Sequence, residues 1–256
     1  MRRAVPLGLM ALAVSGCGPL TVATPASPTS APTYIAAVLS DGPVGYWRMG
    51  ETSGTTMADQ SSHGNNGVYQ GGFRLGQPGA IAGDGDTAVA FDDKSGAASV
   101  PSSASLQVNT VTIELWIKKT TDMEYGVYVA KNVAPGGDAG SGWFQLLNSH
   151  HNGQLEFRVT ADVGPTVTSL QLLALNTWYY VVATYDGTTA KLYINGKLDS
   201  SLSVTAVPKQ TNDPLTIGRR PDGHFTNALI DEVAIYPTAL SADRIAAHWR
   251  IASATR

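Results

Sequence analysis

The stretch that decides the fold of this chain is Ala228-Leu229-Ile230-Asp231-Glu232-Val233-Ala234-Ile235-Tyr236. Apolar and polar residues alternate along it around a central acid pair, which is typical of a strand with one buried face. It follows Ile217-Gly218 and precedes Ala239-Leu240-Ser241. The whole segment therefore predicts a strand that is closed by a turn and a short helix.

The same alternation recurs in Val111–Lys118, Leu155–Thr160 and Lys191–Asn195, while Trp178–Tyr185 is apolar on both faces, as expected of a central strand. Two-residue turn signals separate such runs: Asn152-Gly153, Asp186-Gly187 and Asn195-Gly196, with Asp222-Gly223 as a further candidate. Only Ala239–Arg250 is predicted to be helical, with Ser241 as its N-cap. We therefore predict an all-β fold, a two-sheet antiparallel sandwich with a short C-terminal helix.

The composition excludes one class of partner. The chain has 256 residues, of which 43% are hydrophobic and 14% charged, and its formal net charge is −3. It has no basic run interleaved with aromatic residues, so nothing in it attracts nucleic acid over a distance. We expect no nucleic-acid partner.

The N-terminus resembles the export signal of a bacterial lipoprotein. Met1-Arg2-Arg3 is positively charged, Ala4–Ser15 is mostly apolar but too short to span a bilayer, and Val14-Ser15-Gly16-Cys17 is similar to a lipobox. Residues 1–17 are thus predicted to be a signal peptide that ends in a lipidated Cys17. The alternatives are a secreted protein with a free thiol and a cytosolic protein with an unusual start.

Residues 18–33 are rich in Pro, Ala, Ser and Thr and carry no charge, which predicts a disordered tether. No second tract of this kind interrupts residues 34–252, which we interpret as one domain. The predicted location is outside the cytoplasm, at the cell envelope or surface, with membrane contact only through the lipid anchor.

The domain resembles the LamG-like jelly rolls of the concanavalin A-like lectin/glucanase group. The resemblance rests on blocks in a fixed order: Val44–Glu51, Asp59–Gly67, Ala90–Asp93, Val100–Leu106, Thr112–Ile117, Trp178–Gly187, Leu192–Gly196 and Ala228–Ser241. Asp93 and Ala228 stand where glycine is usual in the family. The resemblance implies a jelly-roll sandwich whose role is binding at a surface.

Glycoside hydrolases share this architecture, and the related glucanases carry three acids at alternate positions of one strand. The comparable strand here offers Glu114, Trp116 and Lys118 on that face. Asp231 and Glu232 are adjacent on a strand and are expected to point to opposite faces. Because neither arrangement supplies the two neighbouring carboxylates that glycoside hydrolysis needs, we predict that the protein is not an enzyme, with a glucanase-like hydrolase as the alternative.

The resemblance also implies a structural calcium ion. Asp59, Asn65 and Asp231 match the positions that hold it in the family, and Glu51 is a possible further ligand. The alternative is that Asp59 and Asn65 cap a turn, and that Asp231 pairs with Arg219 or Arg220.

A carbohydrate ligand is expected to contact aromatic rings and planar polar side chains. The strand residues predicted to face away from the core are Glu114, Trp116, Lys118, Glu156, Arg158 and Tyr193, and the loop residues at their rim are Tyr125, Trp143, His150 and Asn152. We take Trp116, Arg158, Tyr193, Tyr125, Trp143 and His150 as candidate ligand contacts, and assign Trp47, Trp178 and Trp249 to packing. The predicted function is a non-catalytic binding or adhesion module for carbohydrate, with a structural protein-contact domain as a further alternative.

Overall fold

The computed structural model describes residue 1 and residues 33–132, 142–149, 153–160, 165–206, 208 and 210–254. Cys17, tether residues 18–32, His150 and Asn152 lie outside the described residues. No helix in the described ranges is both long and apolar enough to cross a membrane. The residues from 33 onward belong to one compact unit, Pro32–Arg256.

The described part of the chain contains two α-helices, α1 (Tyr34–Ser40) and α2 (Ala242–Ser253). Its strands are β1 (Gly45–Trp47), β2 (Thr56–Met57), β3 (Gly67–Gln70), β4 (Phe73–Pro78), β5 (Thr87–Phe91), β6 (Ala97–Val100), β7 (Val111–Lys119), β8 (Val127–Asn132), β9 (Gly142–Asn148), β10 (Leu155–Val159), β11 (Thr166–Thr168), β12 (Tyr179–Tyr185), β13 (Thr189–Ile194), β14 (Lys197–Ser203), β15 (Leu215–Ile217) and β16 (Ala228–Tyr236).

The strands form two antiparallel sheets of eight, which confirms the predicted sandwich. The first sheet has the order β14-β13-β12-β7-β16-β5-β4, with β1 also paired to β16, and the second has the order β11-β10-β9-β8-β15-β6-β3-β2. The inward-facing residues Val111, Ile113, Leu115 and Ile117 of the alternating strand β7 lie in the core between the sheets as predicted. Strand β12 lies inside the first sheet, between β13 and β7, as its two apolar faces indicated.

Local signals explain several connections. Asn195 and Gly196 link β13 to β14 and have φ values of 50° and 75°, the left-handed conformation that a two-residue type I′ turn requires. Ser241 caps α2 as predicted, because its hydroxyl accepts a hydrogen bond from Arg244 N. Helix α1 was not predicted; the Thr33 hydroxyl caps it by accepting from Ala36 N at 3.3 Å.

Both helices pack against the outer face of the first sheet and build a second apolar cluster there. Its buried members are Tyr34, Val38, Tyr46, Ala80, Ile81, Trp116, Tyr180, Val182, Tyr193, Ala234, Tyr236, Ile245 and Ala252. Trp178 and Trp249 pack against this cluster, and Trp47 lies in the main core, so all three have the packing role assigned to them. The outer face of the first sheet is therefore largely covered by the two helices.

Candidate functional site

The candidate ligand residues do not share one surface. Trp116 and Tyr193 lie on the outer face of the first sheet, buried beneath the helices, and Trp116 is 0% exposed. Trp143 is not a loop residue, because it belongs to β9 and packs in the core between the sheets. Arg158 belongs to β10 of the second sheet. Alternation correctly marked Trp116, Tyr193 and Arg158 as facing away from the core, but the two sheets have separate outer faces.

Glu114 forms the polar centre of the face beneath the helices. Its carboxylate accepts hydrogen bonds from the hydroxyls of Tyr34 at 2.7 Å and Tyr236 at 2.8 Å, and His248 Nδ1 lies 3.0 Å from Oε1. Burial raises the pKa of Glu114, but these partners outweigh it and hold the pKa below its ordinary value. Glu114 is thus an anchor for both helices and is closed to a ligand.

Asp231 and Glu232 of β16 do not point to opposite faces of the sheet, as the sequence predicted. Asp231 pairs with Trp116 and Ala234 pairs with Glu114, so one extra residue bulges from the strand between them. Glu232 occupies the bulge with φ of 52°, and its carboxylate turns outward to accept from the Tyr46 hydroxyl. Both carboxylates therefore lie on the outer side of the sheet.

Even so, the pair is closed to a polysaccharide. Asp231 is 2% and Glu232 0% exposed. Asp231 Oδ2 accepts from Ala80 N at 2.8 Å rather than pairing with Arg219 or Arg220. Burial raises the pKa of both acids, that of Glu232 to about 7 against the opposing effects of Arg48 and Tyr46.

Within the described residues, one group of three potential metal-ligating side chains comes together, consisting of Asp84, Asp86 and Glu232. Arg48 Nη2 lies 2.9 Å from Asp84 Oδ2, 2.8 Å from Asp86 Oδ2 and 2.8 Å from Glu232 Oε1. The guanidinium thus supplies the positive charge that this group of acids needs. The arrangement is an ion-pair network that runs from the buried Glu232 to the exposed Asp84.

The residues expected to hold calcium make a different set of contacts. Asp59 Oδ1 accepts from Tyr46 N and Ser61 N, and its Oδ2 accepts from Ser61 Oγ and Asn65 N, all within 2.9 Å. The Asn65 amide donates to Val44 O at 2.6 Å.

Because each oxygen of Asp59 already accepts two hydrogen bonds, its carboxylate does not fit a calcium ligand without losing them. Glu51 is also occupied, since it accepts from Ala58 N at 2.8 Å and from the Tyr69 hydroxyl at 2.6 Å. Asp59 fits the turn-capping alternative, and no role of calcium follows from these contacts.

Two of the candidate ligand residues do meet on the outer face of the second sheet. The Arg158 guanidinium lies over the Tyr125 ring, 5.6 Å from its centroid, and binds Glu156 Oε2 through Nη2 at 2.6 Å and Nε at 3.0 Å. The Ser149 hydroxyl donates to the other oxygen of Glu156 at 2.8 Å. Beneath them lies a small apolar cluster, Val127, Ala130 and Leu147.

A second group of polar side chains adjoins Tyr125. His224 packs edge-on against the Tyr125 ring at 6.3 Å. Asp222 Oδ1 accepts from Arg220 Nε at 2.7 Å and lies 2.9 Å from His224 Nδ1. Burial raises the pKa of Asp222, but Arg220 and His224 outweigh it and lower the pKa, so the carboxylate is ionised near neutral pH.

We call Tyr125, Ser149, Glu156, Arg158, Arg220, Asp222 and His224 the Arg158 surface. The planar donors of the arginines, the exposed Asp222 carboxylate and the Tyr125 ring can together hydrogen-bond hydroxyl groups and contact an apolar ring face. Ser149 and Glu156 are buried and hold Arg158 in position. Sequence reasoning missed Arg220, Asp222 and His224. The Asp222-Gly223 dipeptide predicted a turn at this position, but nothing in the sequence indicated that the turn would contact Tyr125.

Comparison with known proteins identifies the superfamily of this fold. A laminin G model described as concanavalin A-like lectin/glucanases superfamily matches residues 92–246, more than half of the chain. No curated protein sequence matches the chain significantly.

Solved structures share the fold at low sequence identity. The receptor-binding domain of botulinum neurotoxin C/D mosaic serotype aligns with a TM-score of 0.64 at 15% identity, over 82% of this chain and 51% of that one. The binding domain of Paraclostridial Mosquitocidal Protein 1 gives 0.63 at 17% identity, over 83% and 52%. The binding domain of botulinum neurotoxin DC in complex with SialylT gives 0.60 at 13% identity, over 83% and 52%. The chain spans about half the length of these solved structures.

Proposed function

Because this chain belongs to the concanavalin A-like lectin/glucanases superfamily, we propose that it is a non-catalytic module that binds carbohydrate through the Arg158 surface. The observation that carries the proposal is the stacking of the Arg158 guanidinium on Tyr125, with Glu156 and His224 beside them. Helices cover the corresponding face of the first sheet, so the Arg158 surface is the better candidate. A neurotoxin binding domain of the same fold was solved in complex with SialylT, which agrees with a glycan ligand.

The charges of the Arg158 surface favour an uncharged ligand. Arg158 is paired with Glu156, and Arg220 is paired with Asp222. An acidic sugar would have to compete with these carboxylates for the guanidinium groups, whereas uncharged hydroxyl groups can bind without breaking the ion pairs. We propose a neutral polysaccharide or oligosaccharide.

The proposed location is outside the cytoplasm, with Cys17 carrying the lipid anchor. The support is the lipobox-like segment that ends at Cys17 and the Pro-rich tract that follows it. Residues 18–33 would keep the sugar-binding domain within reach of the envelope, since about 3 Å per residue allows a span on the order of 40–50 Å. Labelling of Cys17 with radioactive palmitate in cells tests this, and unlabelled protein would contradict it.

Affinity electrophoresis tests the proposed function. The full chain should be retarded in gels that contain neutral polysaccharides such as xylan, mannan or β-glucan, and should migrate normally in alginate. Reducing-sugar release from the same polysaccharides should stay at the level of a protein-free control. Release of reducing ends would instead identify a glycoside hydrolase, and normal migration in every gel would favour a protein-contact domain.

A further inference from the structure

A cavity of about 450 Å³ opens at the end of the first sheet, where β4, β5 and β16 meet the turn that follows β7. Its polar lining residues are Arg74, Asp92, Thr120, Thr121 and Asn227, and Phe73 is its half-exposed aromatic residue. We call it the Arg74 cavity. It shares no lining residue with the Arg158 surface, so it carries an inference of its own.

We propose that the Arg74 cavity is a second binding site, and that its ligand is a single uncharged sugar residue with neighbouring hydroxyl groups. Its volume falls within the range of small-molecule sites, about 300–1,000 Å³. Three features of the lining carry the proposal: two donors, one fixed acceptor and an apolar wall.

The donors are Arg74 and Asn227. Among the described residues, the exposed Arg74 guanidinium makes no hydrogen bond or ion pair. The Asn227 carbonyl oxygen Oδ1 accepts from the Thr120 hydroxyl at 2.6 Å. This bond fixes the amide plane, and Nδ2 donates no hydrogen bond within the described residues.

The acceptor is Asp92. Its Oδ1 is held by the backbone N–H groups of Ser95 at 2.8 Å and Gly96 at 2.7 Å. Its Oδ2 lies against Gly72, where any Cβ would overlap it, so the carboxylate has a fixed position at the cavity wall. Burial raises the pKa of Asp92, but the backbone hydrogen bonds outweigh it and lower the pKa, which keeps the group an acceptor at neutral pH.

The apolar wall is formed by Phe73, Ala90 and Phe91. The Phe73 ring stacks on Tyr69, with centroids 5.2 Å apart and planes at 25°, so its orientation is fixed. Phe73 packs against the main core, and the part of it that stays exposed gives the cavity an apolar rim beside the hydrogen-bonding groups. One guanidinium and one carboxylate leave the lining without net charge, which favours hydroxyl groups over a carboxylate or phosphate.

The test is a titration of the ¹⁵N-labelled full chain with D-glucose, D-galactose, D-mannose and D-glucuronate in separate series, each up to about 50 mM, well above a Kd of about 1 mM. At least one neutral hexose should shift the amide signals of Thr120, Thr121 and Asn227. Arg74→Ala should weaken this binding about tenfold, the effect expected when one charge-assisted hydrogen bond is lost.

Two controls separate this site from other effects. Arg250→Ala removes an exposed arginine of α2 and should leave the affinity unchanged. Arg158→Ala should leave the shifts of Thr120, Thr121 and Asn227 unchanged, although it weakens binding at the Arg158 surface. An unchanged Kd in Arg74→Ala, no shift with any neutral hexose, or shifts with D-glucuronate alone would each overturn the proposal.

Discussion

Replacement of His248 by alanine should lower the unfolding free energy by more than the loss of its packing alone, because His248 is also the partner of a buried carboxylate. His248 is fully buried, with Nδ1 3.0 Å from Glu114 Oε1 and Nε2 3.2 Å from Asp41 Oδ2. His248→Ala would leave the Glu114 carboxylate buried without its cationic partner, although the hydroxyls of Tyr34 and Tyr236 would remain. Removing one partner of a buried ion pair costs about 3–5 kcal/mol, a large part of the 5–15 kcal/mol that stabilises a typical domain.

The pH dependence of this loss gives a second test. Burial lowers the pKa of His248, but Glu114 outweighs it and raises the pKa above 6.5. The stabilisation is therefore complete below the unfolded value and is lost as the pH rises through the raised folded value. The difference in unfolding free energy between wild type and His248→Ala should thus be larger at about pH 6 than at about pH 9.

Urea unfolding followed by tryptophan fluorescence measures both effects, because Trp249 of α2 packs against Trp116 of β7, with ring centroids 5.5 Å apart. His63→Ala is the matched control, since His63 is exposed, and it should change the unfolding free energy by no more than about 0.5 kcal/mol. A loss below about 1 kcal/mol in His248→Ala, or the same loss at both pH values, would refute the anchoring role of the Glu114–His248 pair.

Three further predictions concern stability. The folded pKa of Glu232 is about 7, above its ordinary 4.5, so its contribution to the unfolding free energy should fall by up to about 3 kcal/mol as the pH rises from 4.5 to 7. Glu232→Gln should remove this pH dependence of the unfolding free energy in urea, and an unchanged pH dependence would contradict the prediction. Asp59→Ala should lower stability by about 2 kcal/mol equally in calcium and in chelator, whereas a loss confined to calcium would identify a metal ligand. Gly196→Ala places a Cβ 2.7 Å from Trp249 Cβ at a φ of 75° and should cost about 1–3 kcal/mol, measured by thermal melting. Gly187→Ala has open space at a φ of 98° and should cost less; equal losses would exclude the Trp249 contact as the cause.

Much of the fold could be predicted because alternation reports directly on burial. The inward rows of β7 and β10 and the left-handed turn at Asn195-Gly196 followed from residue type alone. Helix α1 could not be predicted from the sequence, because it directly follows a Pro/Ser/Thr-rich tract and has only seven residues. The bulge at Glu232 had no glycine to mark it, so the acid pair was placed on opposite faces.

The site was harder to predict for a topological reason. A period of two separates inward from outward side chains, but it does not tell which of two outer faces a strand belongs to, or whether a helix covers that face. Trp116 and Arg158 both point away from the core, yet one is buried beneath α2 and the other lies on the Arg158 surface. The meeting of Tyr125 with His224 depends on two loops that are distant in sequence.

A glycan array probed with three forms of the full chain tests the central claim that the Arg158 surface binds carbohydrate. Wild type should bind a set of neutral glycans, and Arg250→Ala should bind the same set with equal strength. Arg158→Ala should lose about tenfold or more in affinity, because the guanidinium is both a donor and the partner of the Tyr125 ring. Equal binding by Arg158→Ala and wild type, or no binding by wild type, would contradict the claim.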